Sequence, residues 1–175
     1  MVEKQHFPGV PADKQQAFDT ALELLKQGGF EKPKITDIQR PWGFFMYVAE
    51  AEASKFIEAF YQSVNIEGID LNLPLQPKIL GIAPGKRLSW QYHHRRGEVW
   101  RNTGGEFSVV LSETDQETEP KIVRLHDVIV IPQGTRHRGI GGDGWSLVAE
   151  IWQHTDPANP SNEDDIVRLQ DDFGR

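Results

Sequence analysis

An all-β sandwich or barrel, with helical additions at its N-terminal end, is the fold class this sequence predicts, and two observations carry it. From Lys78 onward, turn signals recur at a spacing of about eight to twelve residues. They are Pro84-Gly85, Arg96-Gly97, Gly104-Gly105, the polar stretch Ser112 to Pro120, His126-Asp127, Pro132 to Gly134, and Gly141 to Gly144. Between them lie short runs rich in β-branched and apolar residues: Phe107 to Leu111, Lys121 to Leu125, Val128 to Ile131 and Ser146 to Trp152. Many short strands at even spacing close into a sandwich or barrel.

Ahead of that region the pattern changes period. Residues 12–27 form a helix candidate, because Ala17, Phe18, Ala21, Leu22 and Leu25 recur at three- and four-residue steps and Gly28-Gly29 stops the run. This helix is expected to pack outside the barrel. A second, shorter helix is expected from Ala51 to Tyr61, where Phe56, Ile57 and Phe60 make an apolar stripe of the kind that contacts a core. Pro74 and Pro77 bracket an extended lead into the barrel. One domain over 1–175 thus divides into a helical and extended region (1–77), a barrel core (78–155) and an acidic C-terminal segment (156–175). That last segment includes apolar Ile166, Val167, Leu169 and Phe173, and is expected to dock on the barrel.

Composition bounds the function classes. A chain of 175 residues with 38% apolar residues suits one core. It has no cysteine, which excludes disulfides and thiolate ligands. Neither a charged leader with an apolar run nor a membrane-length apolar stretch is evident, so a cytoplasmic protein is the expectation. The net charge of −7 argues against a nucleic-acid partner, since a phosphate-binding surface normally carries a basic field. Yet Lys86, Arg87, Arg95, Arg96 and Arg101 accompany only Glu98 between Gly85 and Arg101. Such a stretch either favours an anionic small molecule or covers the barrel rim with solvated stems.

The chemistry concentrates in two segments, Gly85 to Gly105 and Pro132 to His137. Strand side chains alternate faces, so Gln91 and His93 project the same way. Glu98 follows a tight connection, and an antiparallel neighbour returns its carboxylate toward the same point. His137 follows a Pro-x-Gly turn that ends a β-branched run. The resulting set of two imidazoles, one carboxylate and one amide suits a divalent first-row ion with open positions, and the lack of thiolate argues against a closed structural zinc site. His6 and His154 lie outside both segments. By the same parity Ser89 and Arg87 share the cavity face, as do Glu98, Trp100 and Asn102. This makes Arg87 the phosphate or hydroxyl contact, Trp100 an aromatic wall and Asn102 an amide donor. Arg136 and Arg138 fall on the face opposite His137, with Arg138 kept as a further substrate contact if the backbone there is irregular.

The first segment resembles the cupin pattern G-x5-H-x-H-x4-E-x6-G, with Gly85, Gln91 in place of the first histidine, His93, Glu98 and Gly105. The second resembles G-x5-P-x-G-x2-H-x3-N at Pro132, Gly134 and His137, with His126 where glycine is usual and Gly141 where asparagine is usual. The run Leu88 to Trp100 is similar to the cupin portion of type II phosphomannose isomerases. Two further stretches share that likeness, Arg40-Pro-Trp-Gly43 and the acidic stretch Asn162 to Arg175, with residues 51–76 interrupting it. The resemblance implies a jelly-roll barrel, a homodimer in which the Lys78 to Ile82 edge pairs with another subunit, and one divalent ion. Zinc is the first choice of ion, with manganese, cobalt, nickel or iron as alternatives.

It also implies aldose–ketose isomerisation of a sugar phosphate such as mannose 6-phosphate, with Gln91, His93, Glu98 and His137 as ligands. That chemistry needs a base beside a carbonyl, for which Glu150 and Arg87 are the candidate catalytic residues. Arg168 is expected to pair structurally with Asp164, Asp165, Asp171 or Asp172. A non-catalytic carbohydrate- or metabolite-binding metal cupin is the alternative, motivated by the absence of any identifiable guanylyltransferase portion, and oxygen chemistry at iron is a third reading.

Overall fold

In the computed structural model, which describes residues 9, 11–62 and 69–175, eleven strands form two antiparallel sheets with two α-helices added. The strands are β1 (Ile35–Asp37), β2 (Gly43–Tyr47), β3 (Leu75–Ile82), β4 (Trp90–Tyr92), β5 (Arg96–Gly104), β6 (Phe107–Ser112), β7 (Lys121–Val123), β8 (Val128–Ile131), β9 (Arg136–Gly141), β10 (Ser146–His154) and β11 (Val167–Gln170). The larger sheet runs β1-β2-β3-β10-β5-β8 and the smaller β11-β4-β9-β6-β7.

The helix α1 covers Lys14–Gln27. Asp13 caps it, accepting a hydrogen bond from the backbone N–H of Gln16, and Gly29 follows with φ +84°. A 3-10 turn at Glu50–Glu52 leads into α2, Ala53–Phe60. Both helices lie on the outer face of the larger sheet. Ala17, Ala21, Leu24, Leu25, Phe56 and Phe60 pack there against Phe44, Met46, Ile79, Leu147 and Ile151.

A second apolar cluster fills the space between the sheets, with Phe45, Leu80, Ile82, Leu88, Trp100, Phe107, Val148 and Trp152. The larger sheet is therefore covered on both faces, and every residue of β2 and β3 is buried. Strands buried on two faces read as unbroken apolar runs rather than alternating ones. This is why Gly43–Tyr47 gave no strand signal in the sequence. The barrel accordingly draws β1, β2 and the first residues of β3 from ahead of position 78.

The face alternation sorts the polar residues as well. Lys78, Glu150 and Trp100 are direct neighbours across β3, β10 and β5, and all point inward. Since β3 is paired with β2 on one side and β10 on the other, the Lys78 to Ile82 edge is not free to pair with another subunit. In the C-terminal segment, β11 pairs β4. His126 has φ +74°, the left-handed conformation that explains why glycine is usual at that place.

Gly43 is the tightest backbone approach. It sits at φ +153°, and a Cβ there would lie 1.8 Å from the carbonyl oxygen of Gly81 on the neighbouring strand. Gly43→Ala should destabilise the fold by about 3 kcal/mol or more. Urea unfolding of the variant checks this, and a loss within experimental error of zero would contradict the packing.

Candidate metal centre

Glu98 sits on β5 with its side chain inward and 3% of its surface exposed. His93 follows the last residue of β4, and His137 is the second residue of β9, directly opposite Gln91. The ligand atoms of His93, Glu98 and His137 all lie within 4.8 Å of one another. Glu98 Oε1 is 3.2 Å from His93 Nε2, and Oε2 is 3.4 Å from His137 Nε2.

Both imidazoles are oriented from behind. His93 Nδ1 donates to the carbonyl of Asp165 at 2.6 Å, and His137 Nδ1 donates to the carbonyl of Thr135 at 2.9 Å. A carbonyl can only accept, so each ring turns an Nε2 lone pair toward Glu98. His137 Nε2 is buried without a hydrogen-bond partner among the described residues. Two imidazole nitrogens and a carboxylate facing one point fit a divalent ion, and the backbone carbonyls are the outer partners that metal-binding histidines use. The amide of Gln91 meets this group through its nitrogen, 3.4 Å from His93 Nε2, while its oxygen accepts from Ser89 Oγ. Ligation by Gln91 requires the amide to turn over.

Asp165 holds the connection that carries His93. Its carboxylate accepts from the backbone N–H groups of His94 and Arg95, each at 3.0 Å, and from Ser161 Oγ at 2.6 Å. His154 is buried and its Nδ1 accepts from the Ser161 N–H, while His6 lies outside the described residues.

Arg96 is the residue that the sequence reading assigned to a turn. It begins β5, two residues before Glu98, and therefore shares its face. Its Nε donates to Glu98 Oε1 at 2.8 Å, Nη2 lies 3.2 Å from His93 Nε2, and the guanidinium stacks 3.5 Å above the Trp152 ring. Strand parity counted back from Glu98 was the signal that could have found it. Burial would raise the Glu98 carboxyl, but His93, Arg96 and His137 converge on it and hold it well below the usual range. Burial also lowers His93 below its ordinary value. Arg96 is thus the permanent cation of the three.

Trp100 Nε1 joins Glu98 to a second carboxyl. It donates to Glu98 Oε2 at 3.0 Å and to Glu150 Oε1 at 2.9 Å. Burial first, and the charge of Glu98 second, push Glu150 up to about 8. Lys78 offsets this only in part from 3.8 Å. That ammonium lies 4.6 to 4.9 Å from the ring centres of Phe45, Tyr47 and Trp152, and 3.3 Å from Glu163. Tyr47 donates to Glu163, and burial followed by that carboxylate raises its phenol far above the ordinary range.

These groups surround a cavity of about 540 Å³, counted with its open mouth. Gln91, Glu98, Trp100 and Glu150 line it, whereas His93 and His137 touch Glu98 without lining it. Three expected substrate contacts lie elsewhere. Arg87 forms a bidentate pair with Asp172, at 2.6 and 2.8 Å, because the backbone ahead of β4 is irregular: consecutive Leu88 and Ser89 both line the cavity, which breaks the alternation. Asn102 is fully buried and braces the turn after β5, donating to the carbonyls of Gly105 and Val123 and accepting from Gly104 N–H, where a register shift interrupts the pairing of β10 with β5. Arg138 keeps the opposite face and binds Glu117, Gln170 and the Leu88 carbonyl.

Comparison with known proteins follows the same lines. The chain is 27% identical over 164 residues to the xanthan biosynthesis protein XanB of Xanthomonas campestris, covering 92% of this chain and 28% of that protein. It is 28% identical over 156 residues to the alginate biosynthesis protein AlgA of Pseudomonas aeruginosa, covering 87% and 26%. It thus spans about a quarter of the length of these relatives. Among solved structures, that of CapF with the inhibitor 3-isopropenyl-tropolone superposes with a TM-score of 0.53 at 17% identity, over 81% of this chain and 35% of that one. The family described as "Mannose-6-phosphate isomerase C-terminal" matches residues 49–171, running across the 51–76 stretch where an interruption was expected. With that match over most of its length and two antiparallel sheets enclosing the site, the chain is a cupin and belongs to the mannose-6-phosphate isomerase C-terminal family.

Proposed function

We propose that this protein is a metal-dependent aldose–ketose isomerase acting on a sugar phosphate of the mannose 6-phosphate kind. The observation that supports this reading best is the Trp100 bridge, which ties a ligand carboxylate, Glu98, to a buried carboxyl that is poised near neutrality, Glu150. His93, Glu98 and His137 hold the ion, with Gln91 completing the set once its amide has turned. A divalent ion bound there supplies polarisation of the sugar's carbonyl and hydroxyl oxygens. Zinc is the first ion to try, followed by manganese, cobalt, nickel and iron.

The chain's own residues carry the proton. Ionised Glu150 takes the C2 proton of the open-chain aldose while O1 takes a proton from water, giving an enediol. Glu150 then delivers its proton to C1 as water takes back a proton from O2, and the ketose forms. Compensating the charge on Glu98 removes part of the repulsion that keeps Glu150 protonated, which tunes it toward use as a base. Arg96 stands beside Glu98 to meet negative charge developing on the oxygens. Trp100 and Trp152 give the cavity apolar walls that limit water. No described helix is long and apolar enough to cross a membrane.

Metal-loaded protein incubated with mannose 6-phosphate should form the ketose and wash solvent deuterium into C2. Glu150→Gln should lower kcat/KM by roughly 10²- to 10⁴-fold with bound metal unchanged. Absence of both turnover and deuterium exchange across a panel of aldose phosphates would leave a metabolite-binding cupin.

His93→Ala and His137→Ala should each reduce bound zinc, measured by elemental analysis after dialysis, at least about tenfold. His126→Ala, on the turn before β8, should retain it. Equal metal in all three variants would refute the ligand set.

The metal-free protein offers a third check. The folded-state value of Glu150, about 8, lies above its ordinary 4.5, so the folded protein keeps a proton that the unfolded chain has already lost between these values. Its contribution is full below the lower value and is lost as pH rises through the upper one. Stability in urea should therefore fall more steeply from about pH 5 to about pH 8 for the wild type than for Glu150→Gln. Parallel pH profiles would contradict the assignment.

A further inference from the structure

We infer that Arg40, Arg168 and Arg175 form a subsite at the cavity mouth for the dianionic phosphate of the substrate. This rests on the sugar-phosphate reading above and deepens it. All three arginines line the same cavity as Glu98 and Glu150, although they come from the loop before β2 and from the C-terminal segment.

The register of the smaller sheet positions the central one. Arg168 on β11 is directly opposite Gln91 on β4, which in turn is directly opposite His137 on β9. Opposed residues of antiparallel strands share a face, so this row runs from the metal ligands to the mouth. Two interstrand spacings, about 10 Å, separate its ends. That span suits an open-chain hexose 6-phosphate with its carbonyl at the inner end and its phosphate outside.

Charge accounting points the same way. Arg40 is paired with Asp37 at 2.9 Å and Arg175 with Asp171 at 2.8 Å. The Arg168 side chain makes no hydrogen bond or ion pair among the described residues, against the expectation that a neighbouring aspartate holds it. Asp165 instead binds the connection after β4, and Asp172 binds Arg87. Glu163, which also lines the cavity, is taken up by Lys78 and Tyr47. Three like charges gathered on one rim, with one of them uncompensated, repel each other until an anion arrives. Burial, then Arg175 and Arg40, accordingly push the Arg168 guanidinium below its ordinary value, against Asp171 and Glu163. Planar guanidinium forks match phosphate oxygens in pairs, which a single ammonium cannot do.

The test starts with inorganic phosphate, titrated calorimetrically into the full chain. Arg168→Gln and Arg175→Gln should each weaken phosphate binding by about tenfold to a hundredfold. Arg124→Gln, an exposed arginine outside the cavity, should leave it unchanged. Arg168→Gln removes no partner, so its circular dichroism should match the wild type. With metal-loaded protein, the same variants should raise KM for mannose 6-phosphate while kcat and the metal content stay near wild type. Phosphate affinity that is equal in all four proteins, or weakened as much by Arg124→Gln as by the others, overturns the subsite. Arginine-dependent phosphate binding in a protein that turns over no sugar phosphate upholds the subsite and removes the isomerase reading.

Discussion

The buried carboxylate of Glu98 is the constraint around which this barrel interior is arranged. An ionised group so deeply enclosed loses its hydration, a cost of several kcal/mol unless partners replace the water. Both of its oxygens are engaged: Oε1 by Arg96 and Oε2 by Trp100, with His93 and His137 close by. Each partner depends on something further out. Arg96 leans on Trp152 and on Ser161, His93 on Asp165, His137 on Thr135, and Trp100 on Glu150. Removing the carboxylate's charge, or the groups that answer it, therefore disturbs both sheets and the C-terminal segment together.

Much of this was legible in the sequence because strand parity is a local rule. It put Gln91, Glu98 and Trp100 on the inner face, and Arg138 on the outer one, from spacing alone. The rule failed where the chain leaves regular pairing. Arg87 precedes β4 on irregular backbone, and Asn102 stands at a register shift, so both lost the face that alternation assigned them. Arg96 was hidden for the converse reason: a segment read as a turn is in fact the start of a strand. The two-sided burial of β2 and β3 removed the alternation that would have marked them as strands. What no local rule supplies is register between distant strands, and this is what brings Glu150 beside Trp100, and Arg168 beside Gln91.

The two sheets divide the electrostatic labour. A row across the larger sheet, Lys78, Glu150 and Trp100, carries one carboxyl, Glu150, that is pushed up toward neutrality. The row across the smaller sheet, His137, Gln91 and Arg168, carries an imidazole at one end and a guanidinium at the other. A ligand lying between them meets titratable chemistry on one wall and invariant charge on the opposite wall. Lys78 is kept from becoming a free cation in the cavity by its aromatic surround and by Glu163. The arginines that line the cavity do not change charge over the pH range in which Glu150 does.

The clasp of Asp165 on the His93 connection joins residues about seventy positions apart, and the groups it supports are complete only when the last stretch of this domain is in place. These contacts close loops about as long as those closed by the β3–β10 pairing, so their entropic cost is met only when the C-terminal segment has folded back. The orientation of His93 is therefore a long-range property of the chain rather than a local one. Changes in the C-terminal segment reach the ion site through the carbonyl of Asp165, although the candidate ligands all lie between positions 91 and 137.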